Sequence, residues 1–412
     1  MKRWICMFGM ALALPLMASE PPALPRPAAT LGPALTLAEA TELAWLRLPY
    51  AKALPGRLAE ARANERVADG WSPAPPALSV AHLGDRLNAR TGKQEWEAEI
   101  AVPLWLPGQQ RAQQSLAQSQ QVEIGARTAT QRLEMAGRLR EAWWELAAAR
   151  QAVTAAARRT GSAAALHADV ARRWRAGDLP RTDANTAQSE LHAAEAEALA
   201  AARAEGLAAD RLRALVGAAA PVALPAETAA APDAGVDAHP ALAAADSAAR
   251  SARLRVRLAD HSGRDAPEVA LRLVRERGNA GEPFANAIGI KFSLPLSSPA
   301  RVGRDSNAAR AELAEAEAQV ELLRQQLALD AVAARRDIEA ATRRGALAAS
   351  RATLGKDTLQ LTQKAFDLGE AELQTLLRAR AAGLDAEAEL ERSALDRAAA
   401  ISRLRQALGV MP

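Results

Sequence analysis

Cysteine occurs once in the 412 residues, tyrosine once and phenylalanine four times, and aromatics make up only 3% of the chain. The one cysteine, Cys6, lies inside an N-terminal apolar run, so a chain that has lost that run has no disulfide and no thiolate metal site. So few aromatics argue against a thick globular core. A preponderance of one charge is lacking too: 52 Lys and Arg face 48 Asp and Glu, a formal net charge of +4. The mixture reads as solvated helix faces and not as a nucleic-acid footprint. After the first residues no run approaches about 18 apolar residues, so no downstream helix is expected to span a bilayer. What is present is alanine. It dominates the 49% hydrophobic content and suits helices packed closely as rods.

The first residues, MKRWICMFGMALALPLMASE, place Lys2 and Arg3 before an apolar run from Trp4 to Met17, followed by Ala18 and Ser19. Charge, length and ending are those of a secretory signal peptide, over residues 1–19. The run is short for a membrane helix. The chain is therefore expected to be exported, without a helical anchor.

An ungapped shift of 192 residues superimposes the sequence on itself: Pro103-Leu104 falls on Pro295-Leu296, Gly177 on Gly369 and Gly217 on Gly409. Glycines and prolines that hold register fix where elements stop, so the match indicates a duplication. The first repeat spans 36–217 and the second 237–409, joined by a Pro/Ala linker at 218–236. Each has the same parts in the same order. A helix opens each copy, from about Thr36 to Gly70 and from near Asp237. A β-hairpin follows at about 77–105 and 268–296, then a proline-free rod at 109–174 and 302–366. Next come a glycine-bearing tip at 175–181 and 367–371 and a return helix at 182–216 and 372–408. The return helix is about half the length of the rod. The short helix opening the other copy is expected to complete the strut by end-to-end stacking.

Period-two alternation marks the strands. Trp96, Ala98, Ile100, Val102 and Leu104 alternate with Glu97, Glu99, Ala101 and Pro103. In the second copy Ile288, Ile290, Phe292, Leu294 and Leu296 alternate with Ala287, Gly289, Lys291, Ser293 and Pro295. The partner segments are Leu78–Leu83 and Val269–Val274, the latter with Arg272 on the polar face. Such stretches have the length of tilted transmembrane strands, and Trp96 and Trp105 bracket one as interfacial residues would. Four strands cannot close a membrane barrel, which needs about eight, so several copies would have to pool theirs. A soluble hairpin buried on one face is the competing reading.

These residues resemble the TolC family of outer-membrane factors, and within it the CzcC-like members that serve heavy-metal efflux. The resemblance covers the chain from LTLAEATELA to LRQALG. It is carried by EIAVPLWLPGQQRAQQ, by the rods, by the block from RWRAGDLPRTD to LRALVG, and by its copy from AFDLGEAELQT to LRQALG. It implies a mainly α fold with a small β part, in which four strands per chain pool into a 12-stranded trimeric β-barrel on a long α-helical barrel. It further implies a homotrimer in the outer membrane of a Gram-negative bacterium, with the helices in the periplasm. A periplasmic adaptor (membrane fusion) protein would link it to an inner-membrane RND pump.

By that resemblance the adaptor docks on a tip comprising Gly177, Asp178, Leu179, Pro180, Gly369, Glu370, Ala371, Glu372 and Leu373. The aperture positions are Asp183, Thr186, Thr375 and Arg378; where the prototype of the family carries two acidic residues shortly after the second tip glycine, this chain has Thr375 and Arg378. Trp96, Ile100, Val102, Leu104, Ile288, Ile290, Phe292 and Leu294 would face lipid, and Glu97, Glu99, Arg272 and Lys291 the lumen. The duct would be passive, with no cofactor. The same fold would serve as the exit of a type I protein secretion system, and a periplasmic coiled-coil structural protein is the alternative from another class.

Little else in the sequence points to chemistry. His82, His167, His192, His239 and His261 show no metal-ligand spacing. No Ser/His/Asp arrangement, phosphate-binding glycine loop or paired-carboxylate pocket stands out, so the chain is not read as an enzyme. Trp143 and Trp144 in the first rod are expected to pack between helices.

Overall fold

The computed structural model describes residues 35–88, 90–217, 223–228 and 235–412. The expected signal peptide, Cys6 and most of the 218–236 linker lie outside the described residues. Helix α1 (Leu37–Arg47) starts at a reciprocal cap: the Thr36 hydroxyl accepts from the Glu39 N–H at 3.2 Å, and the Glu39 carboxylate accepts from the Thr36 N–H at 2.8 Å. The single opening helix expected over 36–70 is in fact two. Pro49 disfavours helical backbone at the residue before it, Leu48 takes an extended ψ of 137°, and α2 (Pro49–Asp69) begins afresh with proline in its first turn.

Strands β1 (Ala77–Gly84) and β2 (Gln94–Pro103) form an antiparallel hairpin. The first rod, α3, runs Gln109–Ala176 and turns at Gly177 into α4 (Arg181–Val216). After the linker come α5 (Pro240–His261), β3 (Glu268–Arg277), β4 (Ala285–Ser293), the second rod α6 (Pro299–Asp367) and α7 (Leu373–Ala407). At 1.5 Å per residue each rod is roughly 100 Å long.

The glycines that hold the 192-residue register share a backbone state. Gly177, Gly217, Gly369 and Gly409 have φ of 90°, 78°, 77° and 74°, a region open to glycine without steric cost. At the tips this builds paired terminal bonds. Gly177 N–H donates to the Trp174 carbonyl and Asp178 N–H to that of Arg173; Gly369 and Glu370 do the same to Phe366 and Ala365. A helix of more than sixty residues is thus stopped by one residue at each tip.

Small side chains set the helix packing. In α6 the buried residues Val320, Leu327, Ala334, Ala341 and Ala348 recur every seven positions, the repeat that keeps one seam facing a partner. Where α6 crosses α7, a Cβ on Gly355 would lie 3.4 Å from the Gly383 Cα, so the two backbones approach closely. Trp143 is fully buried in a cluster with Leu139, Leu146, Leu212, Val216 and Leu37. Trp144 donates its indole N–H to Ser402 Oγ at 2.8 Å, tying α3 to α7.

The struts are completed differently from expectation. Leu37 and Ala40 of α1 pack with Ala208, Leu212 and Val216 at the end of α4, and Gly409, just past α7, abuts His239 and Pro240 at the start of α5. Each return helix therefore meets the opening helix of its own copy. The opening helix runs from mid-length towards the sheet and the return helix comes back from the tip to mid-length, so the two ends of one copy meet there. α5 then lies between both rods, bonded to α3 through Ser119–Ser251 at 3.0 Å and to α6 through Arg253–Glu317 at 2.7 Å.

Candidate functional site

The two hairpins join edge to edge into one antiparallel sheet of order β1-β2-β3-β4. The β2–β3 register (Ile100↔Leu271, Ala98↔Leu273) aligns the apolar positions of both copies. One face carries Leu78 and Val80, then Trp96, Ala98, Ile100 and Val102, then Val269, Leu271 and Leu273, then Ile288, Ile290 and Phe292. Most of these side chains are exposed, Ile290 at 81% and Ile288 at 76%. Among the described residues nothing covers this face, and the outer edges of β1 and β4 are unpaired. An uncovered face of this extent marks a surface that meets something apolar.

Two residues expected on that face lie just beyond the strands. The Leu104 N–H donates to the Pro267 carbonyl at 2.7 Å after β2 has ended at Pro103, and Leu294 follows the end of β4 at Ser293. Prolines at 103 and 295 lack the N–H a ladder needs, which fits the strands stopping there. Trp105 likewise serves the scaffold: its indole N–H donates to the Gly70 carbonyl at 2.9 Å and pins the end of α2.

The opposite face holds the four expected polar residues together. Arg272 pairs with Glu97, and Lys291 Nζ lies 3.2 Å from Glu99 Oε1. Glu99 and Lys291 occupy equivalent positions of the two copies, so the duplicated site has acquired opposite charges that satisfy one another across the sheet. Each pair cancels its own charge, while Glu95, Glu268 and Glu276 lie on the same face and add negative charge to it.

At the far end of the rods both tips are brought side by side. Leu166, Val170 and Ala187 of the first copy and Phe366, Leu373 and Leu376 of the second form one buried cluster, with Leu179 and Ala371 packed on it. Arg173 links the copies: its Nη2 lies 3.0 Å from Asp367 Oδ1 and its guanidinium carbon is 5.0 Å from the centre of the Phe366 ring. Gly177, Asp178, Pro180, Gly369, Glu370 and Glu372 are exposed. Leu373 is only 3% exposed, so its side chain shapes the tip from within and is not on offer to a partner. Of the aperture positions, Asp183 and Thr186 are half-buried on α4, Thr186 donating to the Thr182 carbonyl, while Thr375 and Arg378 are exposed on α7. Arg380, two residues on, is half-buried and bonded to the Ser162 carbonyl and Gln363 Oε1.

A charged hub at mid-length escaped the sequence reading. Glu227 of the linker accepts from Arg140 Nε at 2.8 Å and Nη2 at 2.7 Å, and from Arg405 Nε at 2.9 Å. Arg140 also donates to Gln406 and the Val410 carbonyl, and Arg405 to the carbonyls of Thr228 and Met411. Burial pushes the Glu227 carboxyl up; bonds from Arg140 and Ser402 and the charges of Arg140 and Arg405 outweigh that and hold it below its ordinary value. The available signal was a lone glutamate within the small, apolar stretch AAAPVALPAETAAAP. Only the fold shows what it meets.

The histidines do not converge. His82 stacks on Trp96 at 4.1 Å, His192 meets Glu195, and His261 sits against Gly108. His239 caps α5 by accepting from the Ala241 N–H, and burial pushes its imidazole down. Among the described residues no group of His, Cys, Asp or Glu could hold a metal ion, and no helix is long and apolar enough to cross a membrane.

Long paired rods, a four-stranded sheet at one end with an uncovered apolar face, and glycine turns at the other define the TolC-like channel fold. The chain is similar to the outer membrane protein VceC from Vibrio cholerae, at 19% identity over 91% of this chain and 96% of that one, with a TM-score of 0.75. It is similar also to the CmeC outer membrane channel of Campylobacter jejuni (15% identity, 94% and 90% of the chains, TM-score 0.73). A third is CusC, described through transmembrane channel formation (13% identity, 92% and 94%, TM-score 0.75). No protein-family model matches the sequence, and no curated protein matches it.

Proposed function

We propose that the chain is the outer-membrane channel component of a tripartite RND-type efflux system, a passive exit duct that docks a periplasmic adaptor and releases heavy-metal cations. In this reading residues 1–19 are a signal peptide and 36–217 and 237–409 are two structural repeats. Three copies pool four strands each into a 12-stranded barrel in the outer membrane, and the helices form a periplasmic barrel. The sheet carries the reading. Its uncovered apolar face suits lipid, its paired polar face suits a water-filled lumen, and its two open edges suit pairing with further copies. On that account Trp96, Ile100, Val102, Ile288, Ile290 and Phe292 face lipid, and Glu97, Glu99, Arg272 and Lys291 face the lumen.

A second heptad stripe supports self-association of the rods. Leu347, Leu354 and Leu361 of α6, and Leu368 just past its end, recur every seven residues and are all largely exposed, distinct from the seam buried within the chain. Neighbouring copies would cover it. The exposed tip residues Asp178, Pro180, Glu370 and Glu372 would meet the adaptor, and Arg378 would line the aperture. The heavy-metal cargo rests on the CzcC-like sequence resemblance.

The decisive experiment is the mass and planar-bilayer conductance of the detergent-extracted protein. A trimer that opens ion-conducting pores supports the channel; a water-soluble monomer without conductance would overturn it. Deleting the gene tests the cargo. Higher cell-associated zinc or cobalt on deletion agrees with metal export, whereas loss of a secreted protein with unchanged metal would reassign the duct to type I secretion.

A further inference from the structure

The apolar face of the sheet changes character at the end distant from the helices. Along β3 that face runs Val269, Leu271 and Leu273 and then Arg275 and Arg277. Arg275 stands beside Trp96 of β2 and Asn286 of β4, and Arg277 beside Gln94, so its cross-strand neighbours offer no carboxylate. Phe284, from the loop that joins β3 to β4, is flanked by both guanidiniums, whose central carbons lie 4.7 and 4.8 Å from its ring centre.

Among the described residues neither arginine makes an ion pair, and the buried Nε of Arg277 has no acceptor. The nearby carboxylates are committed elsewhere. Asp85 accepts from Thr91 and Gly92, Glu282 from Gly278 and Asn279, and Glu95 and Glu276 point to the opposite face. The contrast with Arg272, paired to Glu97 on the polar face, is direct. A lone arginine facing lipid is strongly disfavoured at the bilayer midplane and nearly cost-free near the interface. Two unpaired guanidiniums held on one aromatic ring at the rim of an apolar band therefore suit the headgroup level, with an anion as the missing partner.

We propose that Arg275 and Arg277 form a binding site for the phosphate of an anionic lipid headgroup in the outer leaflet. Phe284 fixes the spacing of the guanidiniums, and Trp96 and His82 pack beside the acyl-proximal part of the lipid. Guanidinium is the cation suited to this because its planar N–H fork engages a phosphate through two parallel bonds. The site rests on the sheet being membrane-embedded, as proposed above.

The test uses the full chain, extracted in detergent and placed in phosphatidylcholine vesicles, titrated with diphosphoryl lipid A. Wild-type protein is expected to bind it at least about tenfold more tightly than an Arg275→Gln/Arg277→Gln variant of the same oligomeric mass. An Arg275→Lys/Arg277→Lys variant should fall between them. Equal binding by wild type and the Gln variant would overturn the site while leaving the channel standing. Displacement of lipid A by millimolar inorganic phosphate would overturn the lipid assignment in favour of a small-anion site. Failure of the wild type to enter vesicles would overturn the channel reading and this site with it.

Discussion

Replacing Glu227 by alanine should loosen the middle of the molecule more than any other single carboxylate change. The Glu227 side chain is 7% exposed and that of Arg140 4% exposed, so the substitution strands a guanidinium away from water. Breaking a buried pair by removing one partner costs about 3–5 kcal/mol. Arg140 keeps its bonds to Gln406 Oε1 and the Val410 carbonyl, which places the loss at the lower end, about 3 kcal/mol. Unfolding entropy near 2.1 cal/mol/K per residue over 412 residues is roughly 0.9 kcal/mol/K, so the midpoint should fall by about 3–4 °C. The assay is thermal unfolding of the detergent-extracted protein, paired with limited proteolysis around Glu227 and Thr228, where cutting should be faster once the bonds to Arg140 and Arg405 are lost.

Acid adds a second arm to this prediction. A carboxyl held below its ordinary value of 4.5 stabilises the fold above that pH and loses the contribution as pH falls through its folded-state pKa. The gap between wild type and Glu227→Ala should therefore narrow below about pH 4.5. A Glu339→Ala control removes an exposed pair with Arg343 and should be indistinguishable from wild type. An unchanged midpoint and unchanged proteolysis for Glu227→Ala would refute the reasoning.

Other perturbations separate the remaining parts of the argument. Gly369→Ala and Gly409→Ala place alanine at nearly equal positive φ, but nothing lies within 4 Å of the new Cβ at 369, while at 409 it meets Pro240 Cδ at 2.6 Å. The first should cost only backbone strain, about 1–2 kcal/mol, and the second clearly more; equal midpoints would show that crowding at Gly409 is relieved without cost. Ile290→Arg, in the middle of the apolar face, should reduce insertion into vesicles by about 2–4 kcal/mol, whereas Lys291→Gln should leave insertion intact. Insertion indifferent to Ile290→Arg would mean that this face does not meet lipid. Arg378→Ala should shift the ion selectivity of the pore, and unchanged conductance and selectivity would remove Arg378 from the aperture.

What could be read from the sequence was local. Alternation along Trp96–Val102 and Ile288–Phe292 fixes which face of each strand is apolar, because side chains alternate every two residues whatever the strand packs against. Gly177 and Gly369 fix where the rods stop, because the turn needs a backbone state that glycine enters without strain. Pro49 could have been read the same way: its effect on Leu48 is also local, and it divides the opening helix in two.

What only the tertiary structure decided joins residues far apart in the chain. The merging of two hairpins through β2 and β3, the pairing of Lys291 with Glu99, and the burial of Leu373 between two tips depend on which surfaces meet. So do the hub at Glu227 and the carboxylate-free surroundings of Arg275 and Arg277. A glutamate in a small-residue linker has the same sequence signature whether it is solvated or enclosed by two guanidiniums. An arginine on a strand likewise reads the same whether paired or waiting for an anion. Burial and charge partnership belong to three-dimensional neighbours, and those neighbours are set by packing among segments tens to hundreds of residues apart.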